Sequence, residues 1–189
     1  LRGEAIYTDV YEDRDGLSEL LDCCATATIR VAEDIYSLVD RELGHTPYGF
    51  WYLSGNINMS EDIACMISGK LYRTLCAPHT QRVIDHFGRG HMHSHSRAMY
   101  LVKEICSLRH VVNLWLATDP HQPQPIQHLE RLVADEDGVC LAIDRDSFPE
   151  IDANTDILKR GTISITLPVE DTRSGRPPAD RFNRLFEDA

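Results

Sequence analysis

The chain has 189 residues, 42% of them apolar and 26% charged, enough for one hydrophobic core and unlike the composition of a fibre or a disordered tract. Nineteen Lys and Arg stand against 30 Asp and Glu, a formal net charge of -11. Such a surface repels phosphate backbones and anionic bilayers, so nucleic acid is not an expected partner.

No run approaches the roughly 18 consecutive apolar residues of a membrane helix, and LRGEAIYTD lacks the basic-then-apolar order of a signal peptide. The expectation is a soluble, cytoplasmic protein with no membrane partner. Cys23, Cys24, Cys65, Cys76, Cys106 and Cys140 show no CxxC spacing and read as free thiols, with disulfides the less favoured alternative. Leu1 in place of Met points to a piece of something longer.

In chain order, Leu17, Leu20, Leu21, Cys24, Val31, Ile35 and Leu38 recur every three or four positions, which predicts a long amphipathic helix from Leu17 to Leu43, closed by Gly44 and Pro47. Tyr48 to Ile57 is aromatic-rich and reads as a buried strand, followed by a polar loop at Asn56 to Asp62. Ser60 opens a helix through Leu71, and Pro78 opens another that runs to Gly88. Gly90 to His95 is short and strand-like, Ser96 to Leu108 helical, and Val111 to Ala117 a continuous apolar strand. A proline-rich loop, a helix from Ile126 to Ala134, and a strand from Val139 to Ile143 follow. The chain ends with a helix near Phe148 to Leu158, a strand at Thr162 to Leu167 and a helix through Phe182, Leu185 and Phe186.

Near-continuous apolar strands alternating with helices predict an α/β fold with a parallel sheet. Five strands in one domain spanning 1–189 fall about three units short of an eight-stranded barrel of about 250 residues. Two open sheet edges would then need cover, which predicts a homo-oligomer or a partner that supplies the missing half.

GRGHMHSHS carries the most chemical information. On an extended strand, residues two apart face the same side, so His91 and His93 can converge on one ion while Met92 faces the opposite layer. His95 is placed beyond the strand end. The alternative is a hydrogen-bonded loop mouth without metal. A third ligand is needed: Asp62, Asp119, Asp144 and Glu170 are the candidates, each also readable as a cap or a solvated acid. Asn56, Asn58, Glu61 and Asp62 form a polar cluster where a carboxylate could act as general acid or base, or cap a helix with Ser60. Trp51, Tyr52 and Trp115 read as pocket lining or as core. No Gly-rich phosphate loop, Ser nucleophile elbow or HExxH helix is present.

Several segments together resemble the uroporphyrinogen decarboxylase superfamily, which also holds the corrinoid and coenzyme M methyltransferases. LRGEAIYTDVYEDRDGLSELLD is similar to a stretch in which an aspartate and an acidic turn precede a long helix, with Asp9, Glu12 and Asp13 in that pattern and Arg14 and Asp15 where proline is commoner. In SEDIACMISGKLYRTLCAPHTQRVIDHFGRG, Glu61, Asp62, Ile67, Ser68 and Pro78 fit, and His79 replaces a tyrosine. GHMHSHS falls where methyltransferase members carry a His-x-Cys zinc motif: His91 matches the histidine, His93 replaces the cysteine, and LPVED replaces a distant second cysteine, with Glu170 the nearest substitute.

The resemblance implies a TIM-barrel fold of which this chain is the carboxyl-terminal portion, without the part that in porphyrinogen decarboxylases supplies the substrate-binding arginines. It implies a small-molecule substrate and a zinc-type methyltransferase in which His91, His93 and Glu170 hold the ion, Asp62 is catalytic, and a corrinoid or small methyl donor supplies the methyl group. The alternatives are a non-catalytic ligand- or partner-binding barrel fragment and, least compatible with the missing arginines, a tetrapyrrole decarboxylase.

Overall fold

The structure is a computed structural model that describes residues 2–43, 56–144, 148–166, 180, 183 and 184. A 3-10 turn and helix α1 (Ile6–Glu12) lead into the long helix α2 (Arg14–Leu43). Asp13 separates them: its backbone leaves the helical region, and its Oδ1 accepts the Gly16 N–H at 3.1 Å, which caps α2 upstream of the Leu17 start expected from periodicity.

The buried stripe of α2 is also not the predicted one throughout. Leu17 and Ala25 are buried, but Val31 and Leu38 are more than half exposed, and the helix turns Ala32 and Tyr36 inward instead. Tyr36 meets Phe87 edge-on at 5.4 Å, and the small Ala25 and Ala32 admit the neighbouring helix.

Strand β1 is Ile57–Ser60, so Ile57 is strand as expected while residues 58–60, expected as loop or helix start, are strand too, and residues 48–55 of the predicted Tyr48 to Ile57 strand lie outside the described residues, as do Gly44 and Pro47. After a 3-10 turn at Asp62–Met66, α3 (Gly69–Leu71), a π turn at Tyr72–Cys76 and α4 (Ala77–Phe87) run on as one helical stretch. Ser68, not Ser60, caps it, accepting the Leu71 N–H at 3.3 Å. Pro78 stands in the first turn of α4, as expected, although the helical stretch already runs into α4 from α3 through the π turn. It follows a widened turn, as expected where a residue without an N–H breaks the regular ladder. Gly88, at φ 91°, ends α4 with its N–H on the Ile84 carbonyl at 2.8 Å.

Strands β2 (Gly90–His95), β3 (Val111–Ala117), β4 (Cys140–Asp144) and β5 (Ile163–Thr166) alternate with α5 (Val102–Cys106), α6 (Leu129–Asp135), and the pair α7 (Phe148–Ala153) and α8 (Thr155–Leu158). Short 3-10 turns precede α5 and α6, the second held by a Gln124–Gln127 capping box ahead of Pro125. The predicted terminal helix and Leu167 fall on residues mostly outside the description.

All five strands are parallel and lie in sequential order, β1-β2-β3-β4-β5. The α/β class and parallel sheet expected from the sequence are therefore present. Register separates two kinds of rung. Met59, Met92, Leu114, Leu141 and Ile163 form one, and Leu116, Ile143 and Ile165 another; these join Val83, Ile84, Leu101, Val102, Ile105, Leu129 and Leu132 of the helices in one core. The opposite face carries Asn58, His91, Asn113 and Cys140 on one rung and Ser60, His93, Trp115, Ala142 and Ser164 on the next. None of the six cysteines is in a disulfide, and only Cys106 is buried. No helix among the described residues is long and apolar enough to cross a membrane.

Gly90 begins β2 because the helix layer leaves no room for more: a Cβ there would lie 2.9 Å from Cγ1 of the fully buried Ile84. Gly90→Ala is expected to cost about 1–3 kcal/mol in urea unfolding, with part of the loss recovered in the Gly90→Ala, Ile84→Val double variant. Equal stability of parent and Gly90→Ala would contradict this packing.

Candidate metal centre

The sequence GHMHSH has period two, and β2 is extended throughout, so His91, His93 and His95 face one side while Met92 and Ser94 face the helices. Met92 is 2% exposed and in the core, as the alternation predicts. His95, expected beyond the strand, is its last residue and stands beside Ala117 of β3. The imidazoles of His93 and His95 thus lie at the carboxyl end of the sheet, where parallel α/β folds gather their sites.

Asp62, the first residue of the turn after β1, reaches over this end. Its Oδ1 lies 3.1 Å from His93 Nδ1 and 3.2 Å from His95 Nε2. Ligand-type atoms of Asp62, His93 and His95 all fall within 4.8 Å of one another. Ser60 ends β1 with its Oγ 3.1 Å from His93 Nδ1. The Asp62 side chain is 50% exposed, which opens the group to solvent.

The second nitrogen of His95 is committed. His95 Nδ1 sits 2.9 Å from Asp119 Oδ1, and Asp119 Oδ2 accepts the Arg97 N–H and the Ser96 hydroxyl, each at 3.3 Å. Burial raises the Asp119 carboxyl, but the Arg97 N–H, His95 and the Arg97 guanidinium outweigh it and hold the group below the usual carboxylate range. An ionised Asp119 places the imidazole hydrogen on Nδ1, so a neutral His95 turns the lone pair of Nε2 toward the carboxylate oxygen of Asp62. Two acceptors at 3.2 Å repel unless a positive charge sits between them, either a proton or a metal ion.

His93 is held by its neighbours. Its ring lies 4.6 Å from the Trp115 ring and 4.9 Å from the His95 ring, and the Trp115 indole N–H donates to both Asp144 oxygens at 3.2 Å. Burial pushes its pKa below the ordinary imidazole value despite the attraction of Asp62, which favours the neutral form a metal requires. Next to Asp62, Glu61 is tied inward: its Oε1 accepts from Thr80 Oγ1 at 2.7 Å and from the Tyr72 hydroxyl at 3.1 Å, and burial raises its carboxyl.

Of the residues singled out in the sequence, the structure brings Asp62 and His93 together and adds His95. His91 lies one rung deeper, 6% exposed, with neither ring nitrogen hydrogen-bonded to a described residue. Glu170, Trp51 and Tyr52 lie outside the described residues. Asp119 and Asp144, weighed as third ligands, stand behind His95 and Trp115. Ser60, read as a helix cap, is a strand residue that touches His93. His95 was legible in the unbroken alternation of GHMHSH, whereas Asp119 gave no signal beyond its place after an apolar strand. Comparison with family models, curated proteins and solved structures returned no match to this chain.

Burial lowers the pKa of both His91 and His93, with Arg89 adding to the effect at His91. The unfolded chain binds these protons near pH 6.5, and the folded chain resists them until lower pH, so stability falls as pH drops below about 7. His91→Leu removes a buried ring that has no hydrogen-bond partner among the described residues. It is expected to be at least as stable as the parent at neutral pH and to lose less stability on acidification, as measured by urea unfolding across that range. An unchanged pH slope would show that His91 is not held neutral by burial.

Proposed function

We propose that Asp62, His93 and His95 hold a divalent, zinc-type metal ion, and that the protein is a metal-dependent methyltransferase related to the uroporphyrinogen decarboxylase superfamily, acting with a corrinoid or small methyl donor. The observation that carries the metal reading is the convergence of three ligand-type groups within 4.8 Å at the carboxyl end of the sheet. Two imidazoles and one carboxylate form a recognised zinc donor set that leaves a position open. Asp119 supplies the carboxylate behind a ligating histidine that such sites commonly carry. Asp62, expected as a catalytic residue and also among the candidate third ligands, takes the ligand place that the resemblance assigned to Glu170.

The barrel assignment has separate support. Sequential parallel order, apolar rungs toward the helices and polar rungs on the other face are the features of a stretch of (β/α)8 wall. Methyl transfer itself rests on the resemblance of the segments around Asp9, Glu61 and His91.

A bound zinc ion would lower the pKa of a nucleophile coordinated at the open position. The chain's own residues do the rest. Asp119 fixes the His95 tautomer, Trp115 and Ser60 fix the plane of His93, and the half-exposed Asp62 leaves an approach for a small substrate.

Chelator-washed protein is expected to take up one zinc ion per chain, measured by elemental analysis and calorimetry, and the double variant His93→Ala, His95→Ala to take up none. Asp119→Asn should weaken uptake about 10- to 100-fold. Uptake should fall on acidification, because each imidazole must shed its proton to ligate. With zinc bound, methylcobalamin and a simple thiol should give the demethylated corrinoid and the methyl thioether. No zinc uptake, or uptake unchanged in the double variant, removes the metal site; uptake without methyl transfer removes the assigned reaction.

A further inference from the structure

A cavity of about 320 Å³ opens beside the metal-ligand group, between α1, the start of α2, the turn after β1, and α4. Its walls are mostly apolar, and they belong to two clusters that are bridged at its wall by the partly buried Ile67 and Cys76. Val10, Leu17 and Leu75 form one, and Ala25, Ala64 and Val83 belong to the main core. An apolar gap of this kind forfeits contacts on both sides, so an apolar occupant would restore them.

Polar residues in the lining come from α2 (Thr28), from α4 (His79 and Thr80) and from the end of β1. Ser60, whose hydroxyl is 3.1 Å from His93 Nδ1, lines the cavity, and so does Glu61. Both hydrogen bonds to the Glu61 carboxyl fall on Oε1, which leaves Oε2 to a ligand. An apolar chamber of several hundred cubic ångströms with a few polar groups is the usual form of a small-molecule site.

We propose that this cavity receives the apolar body of the ligand served by Asp62, His93 and His95. The ligand is a small amphipathic molecule, with an aliphatic or aromatic part on the order of ten heavy atoms and a thiol or hydroxyl head directed past Ser60. The body's place rests on the cavity alone, and the head's place rests on the proposed metal site. Continuity through Ser60 and Glu61 makes one ligand, rather than two, the occupant.

The test is calorimetric titration of the full chain with two homologous series. Straight-chain alkanols from ethanol to hexanol are titrated into metal-free protein, and the matching alkanethiols into zinc-loaded protein. Each added methylene is expected to tighten binding about fourfold in both series, the equivalent of about 0.8 kcal/mol per buried CH₂. Ala25→Leu fills the cavity and should flatten both series; Cys24→Leu, from the same wall, serves if Ala25→Leu does not fold.

A flat alkanol series in the parent protein, or a slope that survives in the folded variants, overturns the cavity assignment whether or not zinc binds. A steep alkanol series in a protein that takes up no zinc keeps the apolar site and removes the metal reading. Zinc uptake with steep alkanols and flat thiols overturns the single-ligand geometry.

Discussion

Parallel strands that follow one another in sequence leave their connecting helices almost no choice of side. A right-handed crossover from each strand to its neighbour places each helix on the same face of the sheet, and five strands in the order β1 to β5 repeat that step. One face must therefore be apolar along its whole width, and Met59, Met92, Leu114, Leu141 and Ile163 make it so. The other face is released from that demand. Because side chains alternate with period two, the same strands can carry Asn, His, Trp and Ser there without disturbing the core. The position of the candidate metal-ligand group follows from this partition: His93 and His95 sit on either side of Ser94, which turns to the helix layer.

At the carboxyl end of that polar face, electrostatics decides the rest. Asp62, Asp119 and Asp144 gather around two imidazoles, and the Arg97 guanidinium lies 3.8 Å from Asp119. Hydrogen bonds satisfy Asp119 and Asp144. Asp62 is different, since its oxygen faces two nitrogens, and one of them is Nε2 of the His95 ring, whose Nδ1 is engaged by Asp119. Protonating a ring would relieve the contact at low pH; at neutral pH burial works against that for His93. A divalent cation relieves it without a proton and offsets the surplus negative charge, and the second nitrogen of His95 is already fixed in the orientation such a cation requires.

The sheet was legible in the sequence because its signal is local: VVNLWLA and VCLAI are apolar runs bounded by turn residues, and β3 and β4 match them within a residue. The helices were less so. The period of α2 allowed Val31, Ile35 and Leu38 as a buried stripe, but packing against Phe87 selected Ala32 and Tyr36, a choice that depends on a partner more than fifty positions away. Pro78 marked the start of α4 within a residue, but a lone proline carries no mark of the π turn that joins α4 to the helix before it. In the candidate site, His91 and His93 share one strand and one face as the alternation implied, and the cluster within 4.8 Å joins His93 to His95 rather than to His91. What raised the group to His93 and His95 is the reach of Asp62 from the end of β1, a relation set by strand register rather than by spacing within GHMHSH.

Register also explains why His91 and Asn113 are neighbours in the deeper rung with acceptors or donors left over. Such groups cost stability, since a buried polar atom loses water without gaining a partner. They belong to the face that carries the ligand group and not to the core, which keeps the cost where specificity is built rather than where the helices dock. A cation bound one rung above would be linked to folding, because it binds the native arrangement of Asp62, His93 and His95 and not the unfolded chain. Such binding would offset part of the cost of the under-bonded polar face, by an amount that grows with the logarithm of the free-ion concentration.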